Sequence, residues 1–394
     1  MKLKIAQITP YYFPSIGGVT SVARYLSEEL VRQGHKVDVI TANRDHKGRP
    51  PLNRPKREVF KGVNIYRYNS ILNIGHMSLF PGLITHLMRN QYDVLHYHSY
   101  RHPLCEISAL MGKLKSCVNI LHGHGPFFEE GETNKNKMRV YTLYDKIAKK
   151  TVLNWSDKII SLNEYERSKY LKIGVNSNKI VVIQNAANLD AFIIRDRDRF
   201  KKNLGIEEKK LILFVGIVNI FKRVDLLIKA LPLIIEKVPN AYLVIIGPDG
   251  GEIKTVLELG KQLNVEKYFT WLGPKYDEEK FTAFVGTDVF VLPSDWEGYP
   301  VAIVEAMASG IPVITTNIRG PVEMIENGVT GLIINKGNFE ELAKSVIRVL
   351  SDDNFREKLS KNARDSAEKM YSPQKITERV LAIYNEVIER RSGK

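Results

Sequence analysis

Residues 210–248 read KLILFVGIVNIFKRVDLLIKALPLIIEKVPNAYLVIIGP. "KLILFVGIV" is an apolar, β-rich run, "RVDLLIKALPLIIEKV" spaces its apolar residues as a helix does, and "AYLVIIGP" is a second run closed by Gly-Pro. A strand, a helix and a strand in this order make a crossover unit, the connection that parallel strands need. The alternation continues through "GEIKTVLELGKQLN" (helix), "YFTWLGP" (strand), "EKFTAFVGT" (helix), "DVFVLPS" (strand), "VAIVEAMASG" (helix) and "PVITTN" (strand). Runs this uniformly apolar suit a parallel sheet covered on both faces.

The same grammar governs the first half. "KLKIAQITP" opens as a strand, and "VTSVARYLSEELVRQG" is apolar at positions 19, 22, 23, 26, 30 and 31, a helical period. "HKVDVITA", "VNIYRY", "DVLHYH", "VNILHG", "DKIISLN" and "KIVVIQN" follow as strands, and residues 45–57 are a basic, Pro-rich loop. Two α/β domains are expected, at 1–190 and 191–375, with a closing amphipathic helix at 376–394 returning toward the first. Each open sheet offers a crevice beyond the carboxyl ends of its strands, and facing domains would share one cleft.

Composition narrows the class. With 394 residues, 44% hydrophobic and 26% charged, the chain is expected to be soluble and globular. No apolar run approaches the roughly 20 residues of a membrane span, and the N-terminus lacks the pattern of a signal peptide. Two cysteines, Cys105 and Cys117, suit a reducing cytoplasm. Residues 1–190 hold 28 Lys and Arg against 15 Asp and Glu, a net +13; the remainder holds 30 against 29, a net +1. This asymmetry suggests an anionic partner for the first half, with a generically basic solvated surface as the plain alternative.

The stretch "SDWEGYPVAIVEAMASGIPVI", residues 294–314, places Glu297 in a strand-to-helix loop and Glu305 about one turn into the helix. Backbone N–H groups at such a helix start favour a diphosphate, and a carboxylate one turn in suits two ribose hydroxyls. The plain alternatives are an ordinary helix residue and a partner of the helix dipole.

These residues resemble the E-x7-E signature of retaining, nucleotide-sugar-dependent glycosyltransferases of family 4, which have the GT-B fold of two facing Rossmann-like domains. The opening "ITPYYFPSIGGVTSVARYLSEELVRQGHKVDVIT", "LFVGIVNIFKRVDLLIKAL" and "GPVEMIENGVTGLII" resemble further segments of that family, in its order. The resemblance implies that Glu305 holds the donor ribose and Glu297 the donor sugar, with main-chain groups around Gly298, Tyr299 and Val301 beside them. It implies that Gly17 and Gly18 let backbone approach the phosphates, and that Lys222 binds the leaving diphosphate. Of His122 and His124, one contacts the donor sugar, and His122, which ends the apolar run, is preferred.

Two departures stand out. The family's usual arginine after the strand's glycine is Ile217 here, and adjacent Arg223 is the nearest substitute. Ala186 replaces a usual glycine in "IQNAANLDAF", leaving Asn185 to line the domain junction.

His98, with His96 and His102, reads as cleft-lining or acceptor-side. His-x-His pairs can bind metal, but spacing shows no third ligand. Asp196-x-Asp198 in "RDRDRF" has metal-like spacing but alternates with arginines, so local pairing explains it better. No metal and no cofactor are expected. The donor is expected to carry UDP or GDP, and the acceptor to be a glycan or lipid-linked hydroxyl. Membrane contact is expected through the basic domain, at the inner face of the cell membrane. "KNKMRVYTLYDKIAKKTVLNW" adds an amphipathic basic helix with Met138, Tyr141, Tyr144, Ala148, Val152 and Trp155 near one face, which either meets lipid or packs on its own sheet. No nucleic-acid motif is present, and no G-x-G-x-x-G marks a dinucleotide enzyme. A nucleotide-sugar epimerase and a non-catalytic binding protein remain as alternatives.

Overall fold

The computed structural model describes all residues except 16, 45–53, 75–76, 129–133, 188, 193–195 and 394. Most of the basic loop at 45–57 therefore lies outside the described residues. The chain folds as two compact units, Met1–Ala186 with Pro373–Lys394, and Ala187–Ser372.

The first unit holds β1 (Lys4–Thr9), β2 (Lys36–Ala42), β3 (Arg57–Phe60), β4 (Val63–Tyr68), β5 (Leu72–Ile74), β6 (Met77–Leu79), β7 (Val94–His98), β8 (Val118–His122), β9 (Lys158–Ser161) and β10 (Ile180–Val182). Eight of them form one sheet in the order β10-β9-β8-β7-β1-β2-β4-β3, while β5 and β6 pair separately. All neighbours in the large sheet are parallel except β3, an antiparallel edge on β4. Its helices are α1 (Gly18–Arg32), α2 (Gly82–Arg89), α3 (Pro103–Leu114), α4 (Lys135–Ala148), α5 (Val152–Trp155) and α6 (Glu164–Ile173).

The sheet buries two apolar layers. One face packs Ala6, Ile8, Leu95, Tyr97 and Leu121 against residues such as Leu104 and Val152. The other packs Ile5, Val39, Val94 and Ile120 against Leu26 and Leu30 of α1 and against Ile376, Val380 and Val387 from the far end of the chain. The sequence-expected face of residues 135–155 turns inward: Tyr141, Ala148 and Val152 are buried, and Tyr144 and Trp155 pack on the same core. The segment is also broken into α4 and α5.

The second unit holds α7 (Arg197–Leu204), β11 (Lys210–Val215), α8 (Val224–Lys237), β12 (Ala241–Ile246), α9 (Ile253–Gln262), β13 (Phe269–Trp271), α10 (Asp277–Val285), β14 (Val289–Leu292), α11 (Val301–Ala308), β15 (Val313–Thr316), β16 (Gly331–Ile334), α12 (Phe339–Ser351) and α13 (Asp353–Met370). Its six strands are all parallel, in the order β13-β12-β11-β14-β15-β16. The last helix, α14 (Pro373–Ser392), belongs to the first unit. Asp196 is the N-cap of α7 and accepts the Asp198 N–H at 3.0 Å, so capping accounts for that aspartate.

Strand order reverses between β1 and β7 in the first unit and between β11 and β14 in the second. Ligands of doubly wound sheets bind outside the carboxyl ends of strands at such reversals. The candidate residues collect at these two places.

Candidate functional site

In the second unit, β11 runs out at Val215. Asn219 then accepts the N–H groups of Phe221 and Lys222, both at 3.1 Å, and holds a single tight turn. Arg223 adopts a left-handed backbone, φ 49°, and α8 begins. Its guanidinium is paired with two carboxylates: Nε and Nη2 donate to Asp225 at 2.9 and 3.1 Å, and Nη1 to Asp295 at 3.0 Å.

The loop after β14 is tied to that turn. The Asp295 N–H donates to the Phe221 carbonyl at 2.7 Å, and the Lys222 ammonium donates to Glu297 Oε1. Ser294 donates to the same oxygen at 2.7 Å. Gly320, at φ 86°, packs against the Gly298 carbonyl; a Cβ there would lie 2.4 Å from that oxygen, so the loop needs glycine on this side. Pro300 caps α11 and Val301 opens it. Glu305, one turn on, is buried, and its Oε1 accepts from Lys280 of α10 at 2.5 Å. The Tyr299 side chain is buried with its hydroxyl donating to Tyr371, so only its main chain faces the loop chemistry. Ile217 is exposed.

The arrangement brings one cation to each of two buried carboxylates that lie eight positions apart. Both lysines bind Oε1 of their glutamate. Lys280 gave no signal in the sequence, since a lysine in an acidic helix start reads as solvated.

In the first unit, strand alternation puts His96 and His98 on one face of β7, and register sets His98 beside His122 and Gln7 beside His96. A left-handed turn at His124 (φ 65°) and Gly125 (φ 66°) folds the fourth imidazole back. The rings form a stack: His96–His98 4.6 Å, His98–His122 5.4 Å and His122–His124 4.0 Å between centroids. His98 is held by Gln7 at 2.7 Å and His124 at 2.8 Å, and the Tyr384 hydroxyl lies 2.6 Å from His96 Nδ1. Both ring nitrogens of His122 lack a hydrogen-bond partner in the structure.

Burial pushes all four imidazoles down, His98 to about 3, and neighbouring histidines add to this for His96, His122 and His124. The stack is therefore neutral at physiological pH. His96, His98 and His122 each place a ring nitrogen within 4.8 Å of the others, so the sheet supplies the third histidine that spacing did not reveal. Imidazole lone pairs lie in the ring plane, however, and rings stacked at 8° and 30° do not aim them at one point. Both nitrogens of His98 are already engaged.

Glu166 supports the His124 turn, accepting from Leu162 at 2.9 Å and Gly125 at 3.3 Å. Burial raises its carboxyl to about 7. His102 sits at the start of α3, with the Leu104 and Ser78 nitrogens 3.3 and 3.1 Å from its two ring nitrogens. Gly17 caps α1 and Gly18 opens it, both exposed, while Asn185 is buried.

Residues 196–366 match the profile described as Glycosyl transferases group 1, and residues 16–191 that described as Glycosyltransferase Family 4. An uncharacterized glycosyltransferase of Methanocaldococcus jannaschii is 28% identical over 98% of this chain and 99% of its own length. N-acetyl-alpha-D-glucosaminyl L-malate synthase of Bacillus anthracis is 26% identical over the whole of both chains. The UDP-Gal:alpha-D-GlcNAc-diphosphoundecaprenol alpha-1,3-galactosyltransferase of Escherichia coli is 28% identical over 77% of each. Among solved structures, Anabaena HepE in complex with UDP and glucose superposes with a TM-score of 0.77 at 17% identity, covering 98% of this chain and 100% of that one. Two parallel-sheet units, their strand-end clusters and these likenesses agree: the chain belongs to the GT-B glycosyltransferases, with a family 4 region followed by a group 1 region.

Proposed function

We propose that the chain transfers a hexose-type sugar, with retention and without a metal, from a nucleotide diphosphate sugar to a hydroxyl of a glycan or lipid-linked acceptor. The observation that carries this reading is the pair of buried carboxylates, Glu297 and Glu305, each joined to a lysine at the β11–β14 reversal. Glu305 serves the ribose diol and Glu297 the sugar. Lys222 exchanges Glu297 for the diphosphate and stabilises the charge that develops as the sugar departs. Main-chain groups at Gly298, Tyr299 and Val301 complete the anion's surroundings, and Gly17 and Gly18 serve the phosphates through exposed backbone. His122, buried and without a hydrogen-bond partner, is assigned to the sugar.

In this reading the acceptor attacks the face from which the diphosphate leaves. The acceptor oxygen forms the new bond to the anomeric carbon, the old bond to phosphate oxygen breaks, and that phosphate takes the acceptor's proton. UDP is the first donor nucleotide to test, because Anabaena HepE is described with UDP. A lipid-linked acceptor is in keeping with the name of the Escherichia coli relative. The +13 of residues 1–190 suits peripheral contact with an anionic membrane at its cytoplasmic face.

The test is calorimetric titration with UDP, GDP and ADP in chelator, on wild type and Glu305→Ala. Binding of one nucleoside diphosphate that Glu305→Ala weakens supports the reading. Absence of binding to all three sinks it. Conversion of a nucleotide sugar without any acceptor would show an epimerase instead.

A further inference from the structure

The face of α4 that turns away from the core is not polar. Val140, Leu143 and Ile147 follow one another at i, i+3 and i+7 and are 64%, 62% and 55% exposed. At 100° per residue they occupy one arc of the outer surface, and Lys135, Arg139, Lys146 and Lys150 occupy the arc beside it. All four cations are exposed, as are Lys137 and Lys149. From Asn134 to Lys150 the sole carboxylate is Asp145. It is consumed on the inner side, accepting from Arg101 at 2.6 and 3.0 Å and from Tyr100 at 3.0 Å. Tyr144 donates to Glu106 of α3 at 3.0 Å, so the helix is fastened to its unit with the aliphatic arc facing out.

Three adjacent large aliphatic side chains in water are costly on an ordinary surface. Six exposed cations on a segment whose sole carboxylate, Asp145, is turned inward point to one kind of cover. We infer that the outer face of α4 docks on an anionic lipid surface, with Val140, Leu143 and Ile147 entering the boundary between headgroups and acyl chains. The flanking lysines and arginine meet lipid phosphates. No helix among the described residues is long and apolar enough to cross a membrane, so this contact lies in the plane of the surface. The face is a different one from that suggested by residue type alone, because the aromatic face of the same segment is spent on the core.

The inference deepens the reading of a membrane-facing acceptor and rests on it for its purpose only; the donor nucleotide reports on one and vesicles on the other. The experiment is co-sedimentation of the full chain with phosphatidylcholine vesicles, with and without phosphatidylglycerol. Wild type is expected to bind only the anionic vesicles and to release as salt rises. The double variant Leu143→Asp, Ile147→Asp should lose at least about tenfold in vesicle affinity. Lys146→Glu with Lys150→Glu should lose a similar factor and shift the salt dependence. Both variants should bind nucleoside diphosphate as wild type does, which shows that they fold. Failure of wild type to bind anionic vesicles overturns the inference, as does equal binding by the aspartate variant. A concentration-dependent dimer in sedimentation velocity that the aspartate variant abolishes would assign the face to a second copy and overturn it too.

Discussion

The Lys280 ammonium lies 2.5 Å from Oε1 of Glu305, joining the start of α10 to the first turn of α11. Both side chains are largely withdrawn from water, at 18% and 4% exposure. A buried carboxylate without its cation would be free to rotate or to take up a proton. Lys280 therefore fixes the Glu305 rotamer, which on the proposed reading is the one that offers an oxygen to a ribose. Lys280→Met should weaken nucleoside diphosphate binding about tenfold, or roughly 1.4 kcal/mol. Lys280→Arg should recover most of it. In a double-mutant cycle, Lys280→Met should add almost nothing once Glu305 is already alanine. Additive losses measured by calorimetry would show that the lysine acts elsewhere.

Lys222 has a different partner and a different expected signature. It shares Glu297 Oε1 with the Ser294 hydroxyl, and on the proposed reading a bound diphosphate draws it away from that carboxylate. Its charge matters most when the leaving group is fully anionic. Lys222→Ala should lower kcat about a hundredfold or more, while KM for the donor changes far less. Steady-state kinetics with saturating acceptor would measure the split. A loss confined to KM would make the lysine a ground-state binder.

Ile217 occupies an exposed position five residues before that lysine, and Arg223, the nearest second cation, is paired with Asp225 and Asp295. Asp225 and Asp295 already take up all three of its donating nitrogens. Ile217→Arg should then tighten nucleoside diphosphate binding by about tenfold, the scale of one charge-assisted hydrogen bond to phosphate. Calorimetry on this single variant decides the point, since an unchanged affinity means the chain's diphosphate pocket is already satisfied.

The histidine stack and Glu166 pull the stability of the first unit in opposite directions with pH. The imidazoles have native values below the ordinary 6.5, so their contribution is complete above 6.5 and is lost as pH falls toward about 3. Glu166 is raised from 4.5 to about 7, so its contribution is complete below 4.5 and is lost as pH rises through about 7. Four groups oppose one, and the protein should lose thermal stability between pH 6 and about 4. Glu166→Gln should be more stable than wild type at about pH 8 and show no such gain near pH 5. Thermal unfolding across that range measures both.

The crossover grammar of both sheets was legible because buried parallel strands are uniformly apolar and their helices periodic. The strand β3 was not, since its four residues alternate between exposed and half-buried and pair antiparallel on an edge. Glu297 and Glu305 could be picked out by their places after a strand end, and Lys222 only through the family resemblance. Lys280 could not, because its partner lies 25 residues away and only the folded unit brings the two side chains together. The histidines show the same limit. Alternation reveals that His96 and His98 share a face, but the register that adds His122 exists only in the sheet. For residues 135–155, composition announced an amphipathic helix and left open whether its aromatic face meets lipid or its own sheet; that face packs inward, and the second, aliphatic arc of Val140, Leu143 and Ile147 was not singled out.

The helix α14 carries a consequence for how the protein is made. Ile376, Val380, Ile383, Tyr384 and Val387 complete a core whose other buried members come from residues 3–186, and Tyr384 is the hydroxyl beside His96. On the ribosome these residues emerge only after all of 187–372 has been synthesised. The first-born half must therefore wait, with one sheet face covered by α1 alone, while the later-born half is made. The nascent chain is inserted one domain inside another, and it finishes the older of the two last.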